Sequence, residues 1–310
     1  MNAADRERVQ DFILRYGYIF GTRFSFAQKR RFLMMARREF ELCDMPVDIH
    51  KVQMGGTWVA KKVYRNLYAG DLDRCTWLVT TYYDTPIKSF SRRRAEAFTS
   101  GFRFRDLVAS SVVSMLLVLG AAEILWSTLI PPLRQSGVFS IWGLVFVIVL
   151  FLTCAAVIRL REGIARRGNV IRNSSSLMVI FQLANVLRRT NSLSHVAFAL
   201  IDEGCRCELG VKMLSDRLGD RHPRRVYLDA VGAVGSVICF SRLSTPYRWP
   251  AIVRSSSSEE ELSKGEYLIT AGSEDDSNRI HIHIDEKGEI DTDRILSRVS
   301  LLESLLAMER

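Results

Sequence analysis

Of the chain's 310 residues, 48% are hydrophobic and 25% charged, and the formal charge is +9. The basic surplus does not mark a nucleic-acid-binding protein. Much of it flanks two apolar segments, and no RNP, helix-turn-helix or zinc-finger pattern accompanies it. The six cysteines form no CxxC pair, which argues against a disulfide framework and suits a reducing cytoplasm.

In chain order, the pattern predicts helix from about Arg6 to Phe40 with a break near Tyr16–Ser25. The apolar run Phe12–Phe20 is too short, and too interrupted by Arg15, to be a secretory signal. Trp77–Tyr82 (WLVTTY) reads as a buried strand that ends in Tyr-Asp-Thr-Pro. Two apolar stretches follow, at 107–130 and 138–158. Each exceeds the roughly 20 residues that cross about 30 Å of hydrocarbon as a helix. The seven residues between them, PPLRQSG, are turn-formers, so the expectation is a transmembrane hairpin. Arg92, Arg93, Arg94, Arg103 and Arg105 precede it, and Arg159, Arg161, Arg166 and Arg167 follow it, against Arg134 alone in the connection. Basic flanks face the cytoplasm. The expected location is therefore the cell membrane, crossed twice, with both termini and the globular part cytoplasmic.

Beyond the hairpin, Leu177–Leu187 has helical periodicity, Val196–Ile201 and Arg225–Leu228 read as strands, and Ile280–Ile284 alternates. The polar stretch Ser255–Asn278 reads as a flexible surface loop with a short strand near Tyr267–Thr270. Thr292–Met308 is an amphipathic helix with Ile295, Val299, Leu302 and Leu306 on its apolar face. Strands alternating with helices predict an α/β fold: a mostly parallel mixed sheet sandwiched by helices, with an inserted two-helix transmembrane hairpin. The expected division is 1–91 and 168–310 as halves of one domain, with 92–167 inserted. In such sheets function gathers at the carboxyl ends of strands. Here those ends carry Asp84, Asp202 or Glu203, and Asp229.

The order of these motifs resembles the zinc-dependent aminopeptidase and glutaminyl cyclase family (metallopeptidase family 28). That family reads V-V-x-x-H-Y-D, then G-A-x-D-N-x-S-G, F-x-x-x-E-E-x-G-x-x-G-S, an L-D-x-x-G strand and a late H-T-x-x-D-T. This chain has WLVTTYYDTP at Trp77–Pro86, GNVIRNSSS at Gly168–Ser176, VAFALIDEGCRCELG at Val196–Gly210, VYLDAVG at Val226–Gly232 and HIHIDEKGEID at His281–Asp291. The resemblance covers nearly the whole chain outside the hairpin, and it implies a zinc-exopeptidase-like fold.

The departures fall on the metal site that the resemblance implies. Tyr82 stands at the first histidine ligand, and Arg172, beside Asn173, stands at the bridging aspartate. Aligning on Gly210 puts Gly204 and Cys205 at the paired glutamates; aligning on Phe198 puts Asp202 and Glu203 there instead. Asp229 and His281 match ligand positions, and Asp84 matches the carboxylate after the first histidine. Two ligands do not hold zinc, which takes three protein groups in catalytic sites and four in structural ones. The expectation is thus a pseudoenzyme with no catalytic residues and no cofactor. If that reading fails, zinc would fall to Asp229, His281 and Glu203. Arg172 is expected either to replace the metal, pairing with Asp229 and Asp84, or to face solvent.

Three functions remain open: a binding or scaffold module for a peptide or another membrane protein at the bilayer, a divergent zinc aminopeptidase or amide-processing enzyme, and an accessory subunit of a membrane transport complex. None involves nucleic acid.

Overall fold

A computed structural model describes residues 3–54, 62–86, 95–98, 104–137, 139–161, 170–204, 209–241, 243–246, 248–255, 264–274, 280–282 and 290–309. These fall into two compact units. The first comprises Met1–Pro86, Arg92–Gly101 and Arg166–Arg310; the second comprises Ile87–Ser91 and Phe102–Ala165. The expected boundary at residue 92 is displaced, because strand β4 (Ala95–Glu96) pairs with β10 (Ile280–Ile282) and so belongs to the sheet.

The first unit opens with α1 (Ala3–Phe12), a π-turn (Ile13–Ile19) and α2 (Phe26–Glu41). The break falls within the predicted Tyr16–Ser25 segment. Ser25 then restarts the helix as N-cap: its side chain accepts the Gln28 N–H while Gln28 reaches back to the Ser25 N–H. Next come β1 (Val47–Met54), β2 (Lys62–Ala69) and β3 (Trp77–Tyr82). After the second unit the chain continues through a π-turn (Val170–Ser174), α6 (Ser175–Arg189), β5 (Val196–Ile201), α7 (Leu209–Leu218), β6 (Arg224–Asp229), β7 (Ser236–Ser241), β8 (Ile252–Arg254), β9 (Tyr267–Glu274), β10 and α8 (Thr292–Leu306).

The sheet order is β1-β2-β5-β3-β6-β9-β10-β4, with β7 pairing β8 and β9 beside that path. The four central strands, β5, β3, β6 and β9, are parallel. The β1–β2, β2–β5, β9–β10, β10–β4 and β7–β9 pairs are antiparallel, while β7 and β8 pair in parallel, so the sheet is mixed with a parallel centre. The reason is in the connections. Strands joined through helices run parallel, whereas β1 and β2 are separated by too few residues for a crossover helix.

Helix α6 is buried along almost its whole length, and one face of α8 packs beside it through Ile295, Val299, Leu302 and Leu306. Phe12, Tyr16, Phe40 and Phe181 form a ring cluster in this layer. The strand expected near Tyr267–Thr270 is present and longer, as β9, and it is a central strand wholly buried over Tyr267–Ala271; of the loop expected around it, 256–263 and 275–279 lie outside the described residues. A strand covered on both faces loses the alternation that marks a half-buried one.

The second unit holds α3 (Phe104–Ile124), a π-turn (Leu125–Leu129), α4 (Ile130–Ser136) and α5 (Ile141–Arg161), with α3 and α5 packed together. The PPLRQSG segment, expected to be the turn, is helical in α4. Its prolines sit at the first helical positions, where their missing N–H costs no bond. The chain turns at Gly137, with φ of 82°. Among the described residues, one helical stretch, Ser111–Ser136, is long and apolar enough to cross a membrane, with mean hydropathy 1.9 and 6% of that window buried. The apolar helix Ile141–Val157 is shorter.

Candidate functional site

Because β5, β3 and β6 are parallel neighbours, their carboxyl ends deliver Asp202–Glu203, Tyr82–Asp84 and Asp229 to one edge of the sheet. The π-turn at Val170–Ser174 brings Arg172 and Asn173 to the same place: the Arg172 carbonyl accepts the Ala230 N–H at 2.9 Å. The residues gather in two clusters.

The first surrounds Asp229, which is fully buried. Tyr82 Oη donates to one carboxylate oxygen at 2.7 Å, and the Phe98 N–H donates to the other at 2.8 Å. Arg172 Nε and Nη2 each stand 3.5 Å from a different Asp229 oxygen. Arg172 is 8% exposed, so the solvent-facing alternative is overturned. Charge-assisted hydrogen bonds are normally about 2.7–2.9 Å long. The tyrosine and the Phe98 amide therefore make the tight bonds, and the guanidinium supplies mainly charge. Phe98 reaches this place in the left-handed region, φ 57°, and Lys264 Nζ secures it by donating to its carbonyl at 2.7 Å. Asn173 braces the strand end, its Nδ2 donating to the Tyr82 and Asp84 carbonyls at 2.8 and 3.0 Å.

The second cluster is built on Lys29 of α2. Its ammonium lies 2.6 Å from both Asp202 Oδ1 and Glu203 Oε1, and Lys62 adds a contact to Glu203 at 3.2 Å. Asp202 also accepts the Arg65 and Glu203 N–H groups, and Glu203 holds φ of 56°. Burial alone would lower the lysine pKa. The fields of Asp84, Asp202 and Glu203 outweigh it and hold the pKa above the ordinary lysine value. Burial likewise pushes the neighbouring Tyr83 phenol well above its usual range, with Asp202 and Asp84 adding to the shift.

Gly204 has a steric role here. A Cβ at this position would come within 2.3 Å of the Tyr82 Cβ, so Tyr82 and a side chain at 204 exclude each other. His281 lies on β10, opposite Glu96 and Ser273. Among the described residues no three of His, Cys, Asp and Glu gather as a group able to hold a metal. Asp229, His281 and Glu203 do not form such a group. Cys205, Arg92, Arg93, Arg94, Arg103, Arg166 and Arg167 lie outside the described residues. Arg105, Arg159 and Arg161 fall within helices α3 and α5.

Lys29, Lys264 and Phe98 were not legible as site residues, and neither was Arg23. Arg23 is fully buried, donating to the Tyr83, Tyr16 and Phe20 carbonyls and to Asn173 Oδ1 and Ser174 Oγ. The one available signal was Arg23 and Lys29 falling at or just after a predicted helix break, on the buried side of the apolar stripe.

No protein-family model and no curated protein sequence matches the chain. Solved structures do. Porphyromonas gingivalis glutaminyl cyclase superposes with a TM-score of 0.59 at 12% identity, over 99% of this chain and 97% of that one. A zinc-dependent exopeptidase from Parabacteroides distasonis ATCC 8503 gives 0.56 at 8%, over 98% and 97%. A leucine aminopeptidase precursor from Bacteroides thetaiotaomicron VPI-5482 gives 0.54 at 9%, over 99% and 96%. The chain has the zinc-exopeptidase fold. At these identities the likeness speaks for the fold alone, and the chemistry of the edge is argued from its own residues.

Proposed function

We propose that this protein is a membrane-anchored, catalytically inactive relative of the zinc exopeptidases. Its cytoplasmic domain serves as a binding or scaffold module for a peptide or another membrane protein. The observation that carries the reading is that the chain's own donors already occupy the acidic strand ends. Asp229 is saturated by Tyr82, Phe98 and Arg172, and Lys29 bridges Asp202 and Glu203. A guanidinium and an ammonium at these carboxylates oppose a divalent cation on the same oxygens. The zinc site of the resembled family is, on this reading, lost and replaced by internal ion pairs.

Anchoring is supported by the second unit. Leu116, Trp126, Ile141, Leu144 and Phe151 are between 61% and 73% exposed, in helices with almost no charge. Soluble monomers rarely present contiguous apolar patches of more than a few hundred Å², and lipid is the natural cover. The arginine-rich flanks place both termini in the cytoplasm.

The alternative of a divergent peptidase or amide-processing enzyme draws support from Asp202–Glu203, a buried acidic pair at the end of β5. The deciding experiment is metal content by plasma mass spectrometry on the detergent-purified protein, with aminopeptidase and glutaminyl cyclase assays on the same sample. Background metal and no turnover are expected. Stoichiometric zinc with turnover would sink the inactive-module reading. Co-purification of a transporter would favour the accessory-subunit alternative.

A further inference from the structure

The geometry points to a second lipid contact, made by the globular unit itself. The surface formed by the π-turn Ile13–Ile19 and the first turns of α2 rests on the headgroup layer of an anionic leaflet. This inference rests on the membrane anchoring proposed above.

The surface itself is the first observation. Leu14, Tyr18, Ile19 and Phe26 are 55%, 61%, 64% and 52% exposed. One exposed apolar side chain is ordinary. Four in a short segment that also buries Phe12, Tyr16 and Phe32 fully mark a segment with two apolar sides, and the Arg65 guanidinium stacks 4.2 Å from the Phe26 ring centroid. Arg30 follows Phe26 by one helical turn on the same side of α2, and both Arg30 and Arg31 are exposed. Rings and aliphatic groups beside arginine suit the bilayer–water boundary, where the apolar part enters the headgroup layer and the guanidinium meets phosphate.

The second observation is where this surface lies. Arg23 sits between the π-turn and Phe26. It is stitched to the point where the chain leaves the sheet: its Nε donates to the Tyr83 carbonyl and its N–H to Thr85 Oγ1, both at 2.6 Å. Its Nη2 donates to Asn173 Oδ1, also at 2.6 Å, where the chain returns. The apolar helices are therefore covalently tethered to this edge. The eight residues 162–169 that separate α5 from the π-turn at Val170 span at most roughly 28 Å. The opposite edge of the sheet differs. Residues 71–76 and 219–223 present Asp71, Asp73 and Asp220 beside Arg74 and Arg221, with no apolar side chain of comparable exposure. The apolar and basic edge is therefore the one to which the apolar helices are tethered, and it is the edge suited to an anionic leaflet.

The test uses the full chain in nanodiscs, with one fluorescent amino acid inserted at position 19, 73 or 119 and brominated lipids as quencher. The expected result is loss of fluorescence at 119 and 19 but not at 73. The loss at 19 should shrink when phosphatidylserine is replaced by phosphatidylcholine, or in the Arg30→Glu/Arg31→Glu variant. Quenching at 119 with none at 19 overturns the contact and leaves the anchoring intact. No quenching at 119 overturns the anchoring and the contact with it. Equal quenching at 19 in both lipids overturns the assignment to anionic headgroups.

Discussion

Asp229 shows how a buried carboxylate is held by a phenol, a backbone amide and a guanidinium. A buried ion whose partner is removed is strongly destabilising, by about 3–5 kcal/mol, because the remaining charge cannot regain water. Asp229→Asn leaves Arg172 buried beside a neutral amide, and a loss of about that size is expected in urea unfolding. Tyr82→Phe removes one donor of the tight pair and leaves the Phe98 amide and the arginine in place, so its cost is smaller, about 1–3 kcal/mol. Equal costs for the two variants would mean that Arg172 contributes little charge to the site. Lys29→Met is the corresponding test of the second cluster. It leaves Asp202 and Glu203 side by side without their buried ammonium, so a loss comparable to that of Asp229→Asn is expected. Arg172 and Tyr82 were legible in the sequence because they break a motif, and Asn173 because it keeps one. Lys29 was not: in KRRFLMMARR it looks like one more basic residue of an amphipathic helix, and only the packing of α2 against the end of β5 gives it carboxylates.

At the scale of elements, legibility followed hydrophobic pattern. The buried runs at β3, β5 and β6 were readable almost to the residue, as were α6 and α8. The outer strands β1 and β2 carry mixed polar residues on a half-covered sheet and give little periodicity. Helix α4 was hidden by its two prolines, which usually signal a turn. Two of these elements place thiols where their ionisation can be followed. Burial pushes Cys43, after α2, up to about 11 and Cys239, in β7, up to about 12. A folded pKa above the unfolded thiol value of about 8.5 means that the stability these groups contribute is complete below that pH and is lost as pH rises towards the folded values. Raising pH from about 8 to about 10 should therefore lower stability by about 2 kcal/mol per thiol. The check is the urea midpoint of wild type against Cys43→Ala/Cys239→Ala, whose alkaline decline should be shallower. In native protein near pH 8 neither thiol should react with a disulfide-exchange reagent until the chain is unfolded; prompt labelling would show that these elements open locally.

On the scale of the whole molecule, the insertion interrupts the sheet unit in sequence, and among the described residues none of 104–161 belongs to that unit's core clusters. The core side chains of the first unit come mainly from α1, α2, α6, α7, α8 and the strands. Loop length alone costs little, since each doubling of a flexible connection adds only about 0.6 kcal/mol of closure entropy. Replacing residues 102–165 with a short Gly/Ser linker should therefore leave a folded exopeptidase-like unit. Its thermal midpoint should lie within a few degrees of the parent, because the described core clusters of the first unit draw on no residue of 104–161. The two proteins should differ in solubility. The intact chain exposes the apolar sides of α3 and α5, so it should stay with membranes through an alkaline carbonate wash and need detergent for extraction. The excised protein should be released without detergent, keeping at most a salt-sensitive affinity for anionic vesicles through Tyr18, Ile19, Phe26 and Arg30. An intact chain that washes off in carbonate would show that α3 and α5 are covered by protein and not by lipid. An excised chain that aggregates, with its midpoint collapsed, would show that the insertion stabilises the sheet unit directly.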